Sequence, residues 1–185
     1  MKYDSVFVVL VLMILVGFAP QSFAADDTFL KIDDVKGESV FKGHRNEIDV
    51  LAWSWGGSQS GSTHIGSGGG AGKINIQDLS ITKWVDSATP ILFEALTTGK
   101  HYKNATLALR RAGARGRQAE YFVIAMERVI VTSVTMAGSG GEDRLSENIT
   151  LNFAKFHITY RATKEDGSAA APIEFRWNIA ENAPK

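Results

Sequence analysis

Beyond residue 25 the chain alternates apolar and polar positions with a period of two over most of its length. That period belongs to strands, whose successive side chains face opposite sides of a sheet. Residues 28–32 form a short first strand. Residues 47–55 set Ile48, Val50, Ala52 and Ser54 against Leu51, Trp53 and Trp55. Both parities there carry contact residues, so at least one face is expected to meet another layer or another chain. In residues 73–84 the apolar phase slips: Ile74 and Ile76 share one parity, Leu79 and Ile81 the other. One extra residue near Asp78 would explain that as a bulge. Residues 148–160 slip in the same way, from Ile149, Leu151 and Phe153 to Phe156, Ile158 and Tyr160. Two slipped strands imply a sheet that curves, as in a small barrel. Residues 103–111, 120–126, 129–136 and 172–179 complete the set. In the last of these Ile173, Phe175, Trp177 and Ile179 read as inward, and Glu174, Arg176 and Asn178 as outward.

One helix interrupts the strands. Thr89 suits its cap, Pro90 its first position and Gly99 its exit. Ile91, Leu92, Ala95 and Leu96 make one apolar stripe between those ends. The pattern therefore predicts a mainly β domain of about eight strands, mostly antiparallel, in a closed or nearly closed barrel with one short α-helix as a lid.

Residues 56–72 break the alternation completely, with nearly half of them glycine and no apolar period. A loop that long is uncommon in a compact domain unless it has a job. It reads either as a surface loop or as an arm that orders against a neighbouring subunit. At the other extreme, residues 1–24 carry Lys2, an apolar run over residues 6–19, and small residues at Ser22 and Ala24. These are the parts of a cleavable export signal, too short in its apolar run to span a bilayer comfortably. The expectation is a signal peptide, or a mis-assigned start, over residues 1–24, followed by one domain over 25–185.

Composition changes the picture mainly by exclusion. Twenty basic residues balance twenty acidic ones, so no net field draws nucleic acid or an anionic membrane. No segment after residue 25 is apolar enough to insert in a membrane. The absence of cysteine removes disulfides, thiolate metal sites and thiol nucleophiles. The glycine cluster ending in Gly72-Lys73 lacks the first phosphate-loop glycine, where Ser67 stands, and has Ile74 in place of the magnesium-binding hydroxyl. It also precedes a strand, so no helix N-terminus is available for a dinucleotide. His44, His64, His101 and His157 are scattered without zinc spacing, and His157 reads as an interface or surface residue. Glu142 and Asp143 lie in a Gly-Ser turn beside Arg144 and read as a solvated hairpin loop. Arg110, Arg111, Arg115 and Arg117 form the densest basic run, with no aromatic residues to stack bases and with turn-forming Gly113 and Gly116 among them. No catalytic set, cofactor site or metal site assembles. What remains points to a domain that buries surface against copies of itself.

Three stretches carry a family resemblance: residues 29–32 with 35–39, residues 47–56, and residues 138–144 running into 147–153. With residues 99–102 and 177–179, they make the chain resemble the haemolysin-coregulated protein (Hcp) family over about residues 27–180. The resemblance implies a small β-barrel of two antiparallel sheets with one helix. It also implies a homohexameric ring, rings stacked into the inner tube of a type VI secretion system, and expulsion of that tube by a contractile sheath. Contractile sheath proteins, a spike protein and small effector proteins in the channel are the implied partners, without cofactor or catalysis. The glycine arm then becomes a subunit-contact loop, with Gly56, Gly57, Gly61, His64, Gly68, Gly69, Gly70 and Gly72 as its candidates. Ser54 is the candidate channel-facing residue, since it lies on the parity opposite Trp53 and Trp55. Arg110, Arg111, Arg115 and Arg117 are candidates for a ring-to-ring contact. The resemblance implies loading from the cytoplasm without a cleaved signal, so residues 1–24 depart from it. The alternative is an exported effector or adhesion module of the same fold that no longer joins a tube.

Overall fold

The two-residue period resolves into ten strands in the computed structural model, which describes residues 26–59, 73–112, 118–138, 140 and 143–184. Residues 1–24, read above as an export signal or a mis-assigned start, lie outside the described residues. The elements are β1 (Asp27–Ile32), β2 (Ile48–Ser54), β3 (Gly57–Ser58), β4 (Asn75–Ile76), β5 (Leu79–Trp84), α1 (Thr89–Thr98), β6 (His101–Ala112), β7 (Gln118–Ala137), β8 (Ser146–Tyr160), β9 (Ile173–Asn178) and β10 (Ala183–Pro184).

All strand pairs are antiparallel and fall in two sheets. One runs β10-β9-β8-β5-β2-β1-β6-β7 and closes because β7 also pairs β8, so six strands make a barrel that β9 and β10 extend. The other is the ribbon of β3 and β4. Inside the barrel lie Leu30, Ile32, Ile48, Leu79, Ile81, Leu107, Ile124, Met126, Ile149 and Leu151, almost wholly buried. Removing a side chain of that kind from water is worth about 1.5–3 kcal/mol.

The phase slips have different physical origins from those expected. In β2 the register against β5 shifts between Val50 and Ala52, leaving Leu51 as an extra residue. Val50 before the bulge and Trp53 after it therefore both face the core, although they differ in parity. The two-faced look of this strand is thus one inward face interrupted by a bulge. Residues 73–84 are not one bulged strand. They divide into β4 in the ribbon and β5 in the barrel, with Asp78 at the break. Residues 120–136 form a single strand with no gap, although Arg128 takes a left-handed φ of 58°. The ladder keeps one register across it, from Glu127↔Lys155 to Val129↔Phe153. β8 carries no bulge against β7 from Val131↔Leu151 to Phe122↔Tyr160; the extra residue lies on β7, at Thr132. The buried set of β8 still changes phase, from Ile149, Leu151 and Phe153 to Phe156 and Thr159. It changes where the second edge of β8 passes from β5, ending at Leu151, to β9, beginning at Lys155. Tyr160, expected inward, is 41% exposed.

β9 departs further from expectation. Ile173 is 70% exposed and Phe175 50%, while Asn178, read as outward, is buried. β9 pairs the part of β8 that overhangs the barrel beyond β5, so only Trp177 and Ile179 reach the main core. The buried Asn178 carboxamide oxygen accepts the Glu181 N–H at 3.2 Å.

Helix α1 begins one residue earlier than Thr89 suggested, with Ala88 as its cap. Thr89 is buried and spends its hydroxyl elsewhere, accepting from Asp86 N–H (3.1 Å) and donating to Glu147 (2.8 Å). Pro90 occupies the first turn, and Gly99 ends the helix at φ 65°, where a glycine carries no Cβ penalty. Leu92 and Ala95 are buried, and the helix packs against β7. Beneath it Lys83 is fully buried. Its ammonium donates to Glu147 (2.6 Å), Asp86 (2.8 Å) and the Trp84 carbonyl (2.7 Å). The segment between β1 and β2 folds over the outside of the barrel, stacking His44 on Phe29 at 4.2 Å. Gly37 is required there, because a Cβ would collide with the Glu47 carbonyl.

Candidate functional site

The outward face of β2, β5, β8 and β7 begins with the polar parity of four adjacent strands. Ser54 pairs Ser80, Ser80 pairs Thr150 and Thr150 pairs Ser133, so one hydroxyl from each strand stands in a row across the sheet. The next row is Ala52, Thr82, Asn148 and Thr135. None of these eight residues is charged. Ser54 is exposed, on the face opposite Trp53 and Trp55. The rows are tied laterally: Asn148 donates to Ser80 at 3.0 Å and to Thr82 at 3.3 Å. At the rim, Asp78 accepts from Thr132 (2.6 Å) on one oxygen and from Asn152 (2.7 Å) on the other. Both carboxylate oxygens are thus engaged within the sheet. The result is a hydrogen-bonded, uncharged surface with one satisfied acid at its margin.

This face ends on two strand edges that no other strand of the described chain pairs. β1 pairs β2 only at Ile48 and Asp49, which leaves one edge of residues 50–54 open. β6 pairs β7 only as far as Ile130, which leaves one edge of residues 131–137 open. Exposed apolar side chains lie beside each: Leu51, 48% exposed, at the first, and Met136, 53% exposed, at the second.

Of the contact-loop candidates, Gly56 and Gly57 are described and form the base of the arm. The Gly56 carbonyl accepts from Gln77 N–H at 2.9 Å, and Gly57 pairs Ile76. The Trp55 indole N–H also donates to the Gln77 carbonyl at 3.0 Å, which anchors that base to the barrel. Gly61, His64, Gly68, Gly69, Gly70 and Gly72 lie outside the described residues.

The basic run is divided in the same way. Arg110 lies over the Phe41 ring at 4.6 Å. Arg111 lies over Tyr121 at 4.3 Å and 3.6 Å from Asp26. Arg115 and Arg117 fall outside the described residues. The described histidines occupy separate places. His44 is buried between Glu47 (2.7 Å) and Glu120 (3.5 Å), His157 faces Glu174 (3.3 Å), and His101 is exposed at the start of β6. No described helix is long and apolar enough to cross a membrane.

Sequence reasoning singled out Ser54 and missed its partners. The signal was present: Ser80 and Thr82 alternate with Leu79 and Ile81, and Asn148, Thr150 and Asn152 alternate with Ile149, Leu151 and Phe153. Joining them needed the strand order, which has β2 beside β5 and β5 beside β8.

Comparison with known proteins agrees with this architecture. The family described as "Type VI secretion system effector, Hcp" matches residues 29–160. The Pseudomonas aeruginosa protein hcp1 is 56% identical over 159 residues, covering 85% of this chain and 98% of that protein. The crystal structure of Hcp1 from Salmonella typhimurium superposes with a TM-score of 0.72 at 32% identity, covering 88% of this chain and 100% of that one. A type VI secretion system effector from Yersinia pestis gives a TM-score of 0.67 at 34% identity, covering 82% and 99%. The barrel, its short helix and the match along most of its length make this chain a member of the Hcp family of type VI secretion proteins.

Proposed function

We propose that the chain is the structural subunit of a type VI secretion inner tube, working as a homohexameric ring whose channel is lined by the β2-β5-β8-β7 face. The observation that carries this reading is the uncharged hydroxyl row bounded by two unpaired edges. Joining the open edge of β2 to the open edge of β7 on the next copy is a heterologous contact, and such contacts close into rings when the rotation between copies permits. It would satisfy backbone groups that otherwise invite uncontrolled pairing and would cover Leu51 and Met136. The ring face would then meet water and cargo with small neutral groups, Ser54 among them.

In this reading the rings stack, with the residue 56–72 arm and the Arg110, Arg111, Arg115 and Arg117 tip as contacts between copies or rings. A contractile sheath expels the stack behind a spike protein, and small effector proteins ride in the channel. The role is assembly and carriage, not catalysis, and the product leaves the cell by type VI delivery. The export-like residues 1–24 favour one other reading, a secreted module of the same fold outside the tube.

Light scattering and negative-stain microscopy of the purified domain test the proposal. Annular particles of six protomer masses are expected, and a monomer persisting at high concentration would refute it. Ser54→Gln should leave the rings intact and reduce effector retention. Unchanged retention removes Ser54 from the channel wall.

A further inference from the structure

A cleft of about 370 Å³ opens where the segment between β1 and β2 meets β6, the start of β7 and the chain after β8. Lys42, Arg110, Arg161 and Glu120 supply its charges, and the buried imidazole of His44 completes the wall. Three cationic side chains thus face one carboxylate. Glu120 stands 3.5 Å from His44 Nε2 and Glu47 2.7 Å from Nδ1, so both carboxylates beside His44 are engaged by its ring. The fold sets the two arginines in place. The Arg110 guanidinium lies over the Phe41 ring at 4.6 Å, and Phe41 packs 5.1 Å from Phe29, on which His44 stacks. Across the ladder Arg110 pairs Glu120. The Arg161 N–H donates to the Tyr121 carbonyl at 2.8 Å, and the Ala170 N–H to the Ala162 carbonyl at 2.8 Å. These bonds pin the chain after β8 against β7, next to Glu120. Lys42 is exposed on the covering segment.

We propose that this cleft binds a small phosphate-bearing anion, clasped by Arg110 and Arg161 with Lys42 closing over it. Like charges gathered in one cleft raise one another's electrostatic energy, and an anion between them reverses the sign of that interaction. Guanidinium groups present planar forks of N–H donors that match phosphate oxygens, and a lysine adds a mobile point charge. With His44 neutral, three cations less one carboxylate leave two positive charges, which favours a phosphate dianion over a monocarboxylate. The volume lies at the lower end of the range of about 300–1,000 Å³ for small-molecule sites, which suits pyrophosphate or a phosphate monoester. The bound anion ties the segment between β1 and β2 to β6 and to the chain after β8. It stabilises the folded barrel by mass action, whatever the barrel's state of assembly.

Isothermal titration calorimetry of the purified protein with sodium pyrophosphate, at neutral pH and constant ionic strength, tests the site. Saturable binding of one anion per chain is expected, with slower amide exchange over residues 41–44 in the bound form. Arg161→Gln and Lys42→Gln should each weaken binding about tenfold, the loss of one charge-assisted contact. Arg111→Gln should leave it unchanged, because Arg111 lies outside the cleft, over Tyr121 and beside Asp26. Lys42 is exposed on a loop, so its variant decides the matter even if the Arg161 variant fails to fold. Absence of saturable heat, a Lys42→Gln protein that binds as tightly as the parent, or equal weakening by Arg111→Gln overturns the site. Glutarate bound as tightly as pyrophosphate overturns the phosphate assignment.

Discussion

Tyr102 is 2% exposed, and its hydroxyl has no hydrogen-bond partner among the described residues. Burial, reinforced by the carboxylates of Glu94 and Asp34, pushes the phenol above its ordinary value of 10.0. A raised folded value means the unfolded chain ionises first. Stability is therefore fully present below about pH 10 and falls as pH rises toward the folded value. Tyr102→Phe is expected to leave neutral-pH stability unchanged or raise it by up to about 1 kcal/mol, because the removed group was buried without a partner. It should also flatten the alkaline fall, read from urea midpoints at about pH 8 and about pH 11. An unaltered alkaline slope would assign that fall to another group. Single positions of this kind were unevenly legible. The exposed, outward placement of Ser54 was legible because two tryptophans flank it and define the opposite parity. The setting of His44 was not, because its second carboxylate, Glu120, comes from a distant strand that only the closed barrel brings to 3.5 Å.

Elements were easier to foresee than their joints. The helix was framed correctly by Pro90 and Gly99, yet Thr89 was drawn away from capping by Glu147, a residue of β8. Phase slips marked changes of partner rather than bulges, since residues 73–84 divide between two sheets and β8 passes from β5 to β9, and the alternation did not say where an extra residue lies. That depends on register: Thr132 on β7 produces a shift against β8 that β8 itself does not contain. The Lys83 cluster was invisible, since a lysine that continues the parity of Leu79 and Ile81 looks like a strand end. Its ammonium now ties β5 to β8 and to the turn before α1. Lys83→Met should cost about 3–5 kcal/mol by stranding Glu147 uncompensated, whereas Lys83→Met combined with Glu147→Leu should recover most of the loss. Chemical denaturation of the three proteins decides it. A double variant no more stable than the single one would show that the pair holds α1 in a way apolar packing does not replace.

At the scale of the whole molecule, the closed barrel was only partly legible. Alternation predicted strands and curvature, but a barrel's neighbours are set by closure, and the surface that faces other copies is defined only once strand order is known. The apolar parity of β9 illustrates the limit: Ile173 and Phe175 alternate like core residues and lie outside it, because β9 attaches beyond the end of β5. The same attachment gives β8 an unusual place. It is held by β7 along one side from Phe122 to Ala137, and by β5 and then β9 along the other. A strand clasped on both flanks has no private route to water, so its amides should exchange with deuterium only when the entire barrel opens. The short ribbon of β3 and β4 should exchange orders of magnitude sooner. Fast exchange at Ile149 or Ile158 under native conditions would mean that the clasp is loose. If it holds, the tube proposed above would yield under load at the joins between copies, and each barrel would be ejected still folded.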